Sequence, residues 1–280
     1  MYGDGRPALR LDFSARSGYV AAMTRHVDFE KIENFRDFGD YPTRHGRRMP
    51  KGRFYRSANH HSASAEDLAV LSRLSPSHIV DLREKVERDR EPSARWPGFS
   101  ARVIETDLGH EPNDTYWEKM KTAPLTPEWM FEDGLDYYRR APLVPRHIHL
   151  YELYFEALAE AEGPILVHCA AGKDRTGIIC ALTHHIAGVE DEHIFEDYLL
   201  TNDEGRIGRR IVYLQDLFLR NTGRALSAEA ARVACSVHEE YLGTAFAVMN
   251  EACGSVDGYL EDKLGVDAAR REALEARLLD

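Results

Sequence analysis

Residues 164–188, PILVHCAAGKDRTGIICALTHHIAG, constrain the fold more than any other stretch of the chain. A short apolar run, PILVH, leads directly to a thiol, Cys169. A turn of small residues follows, then TGIICALTHHIAG, which Gly188 ends. That order predicts a buried strand, a tight loop and a helix. Backbone N–H groups of such a turn converge on one concavity, and the helix adds its positive end, so the unit is suited to an anion. Ala170, Ala171 and Gly172 are small enough for the backbone to curl and for a ligand to approach it closely. Lys173 and Asp174 complete the loop, and Arg175 offers a planar fork of donors matched to two phosphate oxygens.

A thiol at the mouth of such a loop ionises more easily, because donors that hold an anion also stabilise a thiolate. A thiolate facing a bound phosphate is a nucleophile aimed at phosphorus. Thr176 can donate its hydroxyl to the sulfur, as nucleophile and again as leaving group. His168 is expected to order the loop through its ring nitrogens rather than to act as the base.

The rest of the chain frames this unit. Residues 1–28 read as a loose lead-in. FRDFGDYPTRHGRRMPKGRFYRS (35–57) reads as short strands or a hairpin. A helix starts at Ser64, with Leu68, Leu71 and Leu74 on its apolar face. HIVDL (78–82) and ARVIETDL (101–108) are the next strands. Residues 109–146, rich in proline, charge and aromatics, form an insertion with helical pieces and are a candidate lid. A helix is expected over 147–162. Beyond Gly188 the pattern is helical throughout: Ile207, Ile211, Leu214 and Phe218 share one face up to Gly223, and further helices fall at 227–252, 255–264 and 267–279. The expected fold is α/β, with a short, mainly parallel central sheet flanked by helices and a helical C-terminal third. With no repeat and no linker, residues 29–280 read as one domain.

The formal net charge of −11 makes the chain a poor general binder of nucleic acid or of an anionic membrane. An anionic substrate must be drawn in by a local basic site. The four cysteines, Cys169, Cys180, Cys235 and Cys253, include no C-x-x-C pair, which suggests a reduced, cytoplasmic protein. The N-terminus carries no signal-peptide pattern and no run is long enough to span a membrane, although export without a signal stays open.

HCAAGKDRTG resembles the signature loop of the protein-tyrosine-phosphatase superfamily. NFRDFGDYPTRHGRRMPKGRFYRSA, VDLREKVERDREP, FEDYLLTN and GSVDGYLEDKLGV extend the likeness to the bacterial and fungal tyrosine phosphatases that carry the HCxxGKDRTG loop. It covers about residues 30–279. The resemblance implies a cysteine-phosphatase fold with activity on phosphotyrosine, and in some members on phosphoserine, phosphothreonine and phosphoinositides. The chain departs from the animal enzymes in lacking a Trp-Pro-Asp acid loop, since Trp96-Pro97 is followed by Gly98.

The leaving oxygen must be protonated as it departs, which calls for a carboxylic acid. Asp174, inside the loop, and Asp81, at the end of the HIVDL strand, are the candidates. The resemblance implies the loop aspartate, with the strand aspartate as rival, and Asp174 is favoured. Asp107 and Asp114 are weaker candidates near the insertion. Lys173 either serves a multiply phosphorylated head group or only raises the local potential. Arg36, Asp37, Arg53, Arg56 and Arg83 are expected to brace the site through ion pairs. The aromatic stretch TPEWMFEDGLDYY reads as core or as a cap on a substrate ring. His147 with His149, and His184 with His185, lack the spacing that would aim two rings at one metal.

The expected activity is hydrolysis of phosphotyrosine, and of phosphoserine or phosphothreonine, through a phosphocysteine. No metal or cofactor is called for, because Arg175 and the loop amides supply the positive charge. A phosphorylated protein or a phosphoinositide is the expected partner, and a phosphate or sulfate ion fits the loop. Rival readings are a phosphoinositide phosphatase, an inactive phosphoprotein-binding module, and a thiol oxidoreductase using the same cysteine.

Overall fold

The computed structural model describes residues 25–109 and 115–280. Five strands form one sheet: β1 (Arg36–Asp37), β2 (Phe54–Ser57), β3 (His78–Asp81), β4 (Arg102–Ile104) and β5 (Ile165–His168). Their order is β1-β2-β5-β3-β4. β1 runs antiparallel to β2, and all other pairs are parallel. The sheet is thus α/β and mainly parallel, as the sequence pattern predicts. β5 lies at its centre. Its carboxyl end opens between those of β2 and β3, the edge where parallel sheets bind ligands.

Side-chain alternation along the strands divides the core. Phe54, Val80, Ile165 and Val167 point into the larger cluster, and Tyr55, Ile79 and Leu166 into a smaller one on the opposite face. The smaller cluster is covered by α1 (Ala65–Leu74), which starts at a capping box between Ser64 and Asp67. The larger cluster holds α5 (Pro145–Glu160) and α6 (Asp174–Ala187), defined together with the intervening helices below. α6 is buried nearly all round, with Thr176, Thr183 and His184 enclosed among its apolar residues, and Gly188 caps it at φ 75°.

The remaining helices are α2 (Lys85–Arg90), α3 (Thr115–Met120), α4 (Pro127–Arg140), α7 (Asp191–Leu199), α8 (Glu204–Thr222), α9 (Ala228–Cys235), α10 (Glu239–Cys253), α11 (Val256–Leu264) and α12 (Ala268–Leu278). α3, α4, α8 and α9 share a separate apolar cluster that includes Trp117, Met120, Met130, Phe218 and Leu226. The segment at 109–146 is therefore largely helical and packed. Its residues 110–114, with Asp114, lie outside the described residues, as does most of the lead-in. Several boundaries differ from the sequence pattern, and the helix expected over 147–162 runs from Pro145 to Glu160. Only Arg102–Ile104 of ARVIETDL pairs as a strand, and the helix expected over 227–252 breaks at Ser236–His238. No helix of the described residues is long and apolar enough to cross a membrane.

Candidate active site

β5 hands the chain to Cys169, which is 2% exposed. The loop after it packs on the end of β2. Gly172 has φ 63°, and a Cβ there would lie 2.4 Å from the Ser57 carbonyl oxygen. Both the backbone conformation and the close approach exclude any side chain.

Three successive loop carbonyls are held from behind. Ala170 O accepts from Asn59 N and Nδ2, both at 3.2 Å. Ala171 O accepts from Asn34 Nδ2 at 3.2 Å. Gly172 O accepts from Asn34 Nδ2 at 2.7 Å and from Arg56 Nη2 at 3.0 Å. In a planar trans peptide the C=O and the next N–H point in opposite directions. The amides of Ala171, Gly172 and Lys173 therefore turn away from these donors, toward the hollow side of the loop. Two buried arginines secure the arrangement. Arg36 Nε and Arg56 Nη1 bind the two oxygens of Asp197 at 3.0 and 2.7 Å, and Arg36 Nη1 reaches Asn34 Oδ1 at 2.5 Å. Asp197 sits at the end of α7, so the helical part of the chain directly supports the loop. Arg36, Arg56 and Arg83 form buried ion pairs as expected, whereas Arg53 is exposed and Asp37 instead accepts from the Gly39 and Gly52 amides.

Arg175 is fixed end-on. Nη1 and Nη2 meet the two oxygens of Glu87 at 2.5 and 2.8 Å, and Nη1 also donates to Leu82 O at 3.2 Å. This leaves the other edge of the guanidinium, Nε and the second hydrogen on Nη2, as a fork for two oxygens. Burial favours the neutral carboxyl at Glu87, but the charge and hydrogen bonds of Arg175 outweigh it, drawing the group down to about 2. Glu87 was not singled out from the sequence. It lies in a run of charges, and its capping box starts from Glu84 rather than the usual serine or threonine, so its one local signal is weak.

Asp174 opens α6. Its Oδ1 accepts from the Tyr138 hydroxyl at 2.9 Å and lies 3.2 Å from Lys173 Nζ. Lys173 Nζ also donates to the carbonyls of Ala234 and Ser236, at 3.0 and 3.2 Å, where α9 ends. Its charge thus meets the negative end of a helix. Asp81 lies elsewhere in the network. Both its oxygens bind Arg83, with Nη2 at 2.7 Å, and it is 1% exposed. His168 is fully buried, with Nδ1 3.4 Å from Cys169 O and Nε2 3.7 Å from Asp81. Burial depresses its ring to about 4, so it is neutral at pH 7. Among the described residues the buried Thr176 hydroxyl has no hydrogen-bond partner, Cys169 Sγ included. Asp107 is ion-paired with Arg88 on the surface.

Two adjoining cavities, of about 280 and 330 Å³, open over Asp174 and Arg175 and share Glu87, Tyr116 and Tyr137. Trp117, Leu214 and Leu217 wall the first; Met130, Val233 and Tyr241 wall the second. The TPEWMFEDGLDYY stretch thus divides its roles. Tyr138 is core, Met130 is buried with an edge on the second cavity, and Tyr137 faces both cavities.

A central parallel strand, a tight loop and a helix, with cysteine and arginine at the two ends of the loop, define a phosphoric monoester hydrolase of the protein-tyrosine-phosphatase type. The chain belongs to the tyrosine phosphatase family, whose model matches residues 27–280. It is 32% identical over 257 residues to a Cupriavidus necator protein provisionally named a tyrosine-protein phosphatase, covering 90% of this chain and 89% of that one. It is 29% identical over 276 residues to the triple specificity protein phosphatase PtpB of Mycobacterium tuberculosis, covering 88% and 96%. A tyrosine-protein phosphatase of Nostoc commune is 28% identical over 239 residues, covering 82% and 75%.

Proposed function

We propose that the protein hydrolyses phosphotyrosine, and also phosphoserine and phosphothreonine, through a phosphocysteine on Cys169. The observation that supports this reading is the set of loop carbonyls held from behind, which turns the amides of Ala171, Gly172 and Lys173 toward the hollow side of the loop that starts at Cys169. The amides of residues 170–175 and the free edge of Arg175 bind the equatorial oxygens of the phosphoryl group. As the Cys169 Sγ–P bond forms, the bond from phosphorus to the ester oxygen breaks. Its electron pair leaves with that oxygen, which takes a proton from Asp174. Water, giving a proton back to Asp174, then attacks phosphorus and releases phosphate and the thiolate. Asp174 suits this role because it borders both cavities, whereas Asp81 is enclosed with Arg83. The aromatic walls suit an aryl phosphate, and the triple specificity in the name of the mycobacterial relative supports breadth.

Cys169→Ser is expected to abolish turnover of 4-nitrophenyl phosphate while retaining binding of the ester. Unchanged turnover excludes the mechanism. Comparing phosphotyrosine, phosphoserine and phosphothreonine peptides with a phosphoinositide defines the substrate range. Preference for the lipid head group alone would favour the phosphoinositide reading, and no turnover of any ester would favour an inactive binding module.

A further inference from the structure

Asp174 is held by one oxygen. Tyr138 Oη donates to Oδ1 at 2.9 Å, and Lys173 Nζ lies 3.2 Å from the same atom. Among the described residues no hydrogen bond reaches Oδ2, and Asp174 borders both cavities of the site. Behind Tyr138 stands Tyr198, whose hydroxyl donates to Tyr138 Oη at 2.7 Å. A phenol has one hydrogen. With Tyr198 filling a lone pair of Tyr138 Oη, the single Tyr138 hydrogen is directed at Asp174. Tyr138 is fully buried, its ring stacks on Tyr241 with centroids 5.3 Å apart, and the hydroxyl cannot swing away. Burial and the neighbouring Asp174 push the Tyr138 phenol well above its ordinary range, so it stays protonated and keeps its hydrogen for Asp174.

We propose that Tyr138, oriented by Tyr198, is a positioning residue that pins Oδ1 of Asp174 and so presents Oδ2 to the leaving oxygen. The inference rests on Asp174 being the general acid. Tyr138 exchanges no proton with substrate. In the first step the proton moves from Asp174 Oδ2 to the departing oxygen while the sulfur–phosphorus bond forms. The pinned carboxyl keeps Oδ2 in line for that transfer. A carboxyl free to rotate would present the proton less often, and the loss would grow with the need of the leaving group for a proton.

The test is kcat/KM for a series of aryl phosphates of rising phenol pKa, from 4-nitrophenyl to phenyl phosphate, with inhibition by inorganic phosphate as the binding readout. Tyr138→Phe keeps the ring and its stacking. It is expected to lose about tenfold on phenyl phosphate and about twofold or less on 4-nitrophenyl phosphate, a fraction of what a general acid supplies. The phosphate inhibition constant should not change. An equal loss on both esters, or weakened phosphate inhibition, would make Tyr138 merely structural and overturn the proposal. Tyr138→Phe leaves the Tyr198 hydroxyl without an acceptor, so Tyr138→Phe/Tyr198→Phe, which removes both partners, controls for that. The double variant should keep the steep dependence on the leaving group, and a return to the wild-type profile would overturn the proposal. Asp174→Asn separates the two levels. If it shows no steepening, the acid assignment itself fails. If it steepens and Tyr138→Phe does not, the positioning role alone fails.

Discussion

Glu87 grips Arg175 through both terminal guanidinium nitrogens, at 2.5 and 2.8 Å, and so leaves the Nε edge of the arginine as the one able to meet a ligand. Glu87→Gln should let the fork rotate, lowering kcat/KM by up to about a hundredfold, the scale of loss from a small misplacement of a catalytic group. The stability effect has a defined pH dependence. The folded Glu87 carboxyl titrates at about 2, below its ordinary 4.5. A depressed carboxyl contributes stability above its unfolded pKa, and that contribution fades as pH falls through the folded value. Wild type should therefore exceed Glu87→Gln by up to roughly 3 kcal/mol at neutral pH. Urea unfolding at stepped pH should show the gap closing between pH 4.5 and about 2.

Gly172→Ala tests the seat of the loop on β2. The added methyl meets the Ser57 carbonyl at 2.4 Å, backbone that cannot yield, and alanine is also strained at φ 63°. The loop must lift, which turns its amides out of register. We expect thermal unfolding to report a loss above about 1–2 kcal/mol, the cost of a non-glycine residue held in such a conformation. Phosphate inhibition should weaken in parallel.

The sequence carries those parts of the fold whose signals are local. PILVH and TGIICALTHHIAG become β5 and α6 because apolar run, glycine turn and glycine stop lie within one stretch. Ser64 and Asp67 mark the start of α1 in the same way. The break between α9 and α10 has no such mark. Ser236–His238 includes neither proline nor glycine, and what holds it open is Asn202, whose amide pairs with Val237 N and O, both at 2.8 Å. That break also exposes the Ala234 and Ser236 carbonyls to Lys173. The site divides along the same line. Cys169 and Arg175 are candidates from spacing within the loop, and Asp174 from its place there and the family resemblance, whereas Glu87 lies 88 residues from Arg175, and Asn34 lies 138 residues from Gly172. Contacts of that range are made by topology, which places β5 between β2 and β3.

Asp197→Asn addresses the buried support. One carboxylate is the shared counterion of Arg36 and Arg56, and all three side chains are at most 2% exposed. Removing the charge leaves two buried guanidinium groups without their counterion, a defect of roughly 3–5 kcal/mol. Urea unfolding at pH 7 should register that loss. Because Arg56 also holds the Gly172 carbonyl, activity per folded molecule should fall as well.

Lys173 discriminates between a brace and a head-group contact. Its ammonium donates to two carbonyls at the end of α9 and lies 3.2 Å from Asp174, and the side chain is 13% exposed. Lys173→Met keeps the stem and removes the donors. If the lysine braces the loop against α9, the variant loses about 1–2 kcal/mol of stability, the range for charge-assisted hydrogen bonds that are partly shielded from water. Its kcat/KM then falls by the same factor on 4-nitrophenyl phosphate and on a soluble phosphoinositide, because both esters meet the same disturbed loop. A lysine that reached a second phosphate would behave otherwise, with the phosphoinositide alone losing affinity and the aryl phosphate untouched. We expect the uniform loss, since the donors of Nζ are already engaged by Ala234, Ser236 and Asp174, although Lys173 lines one of the two cavities.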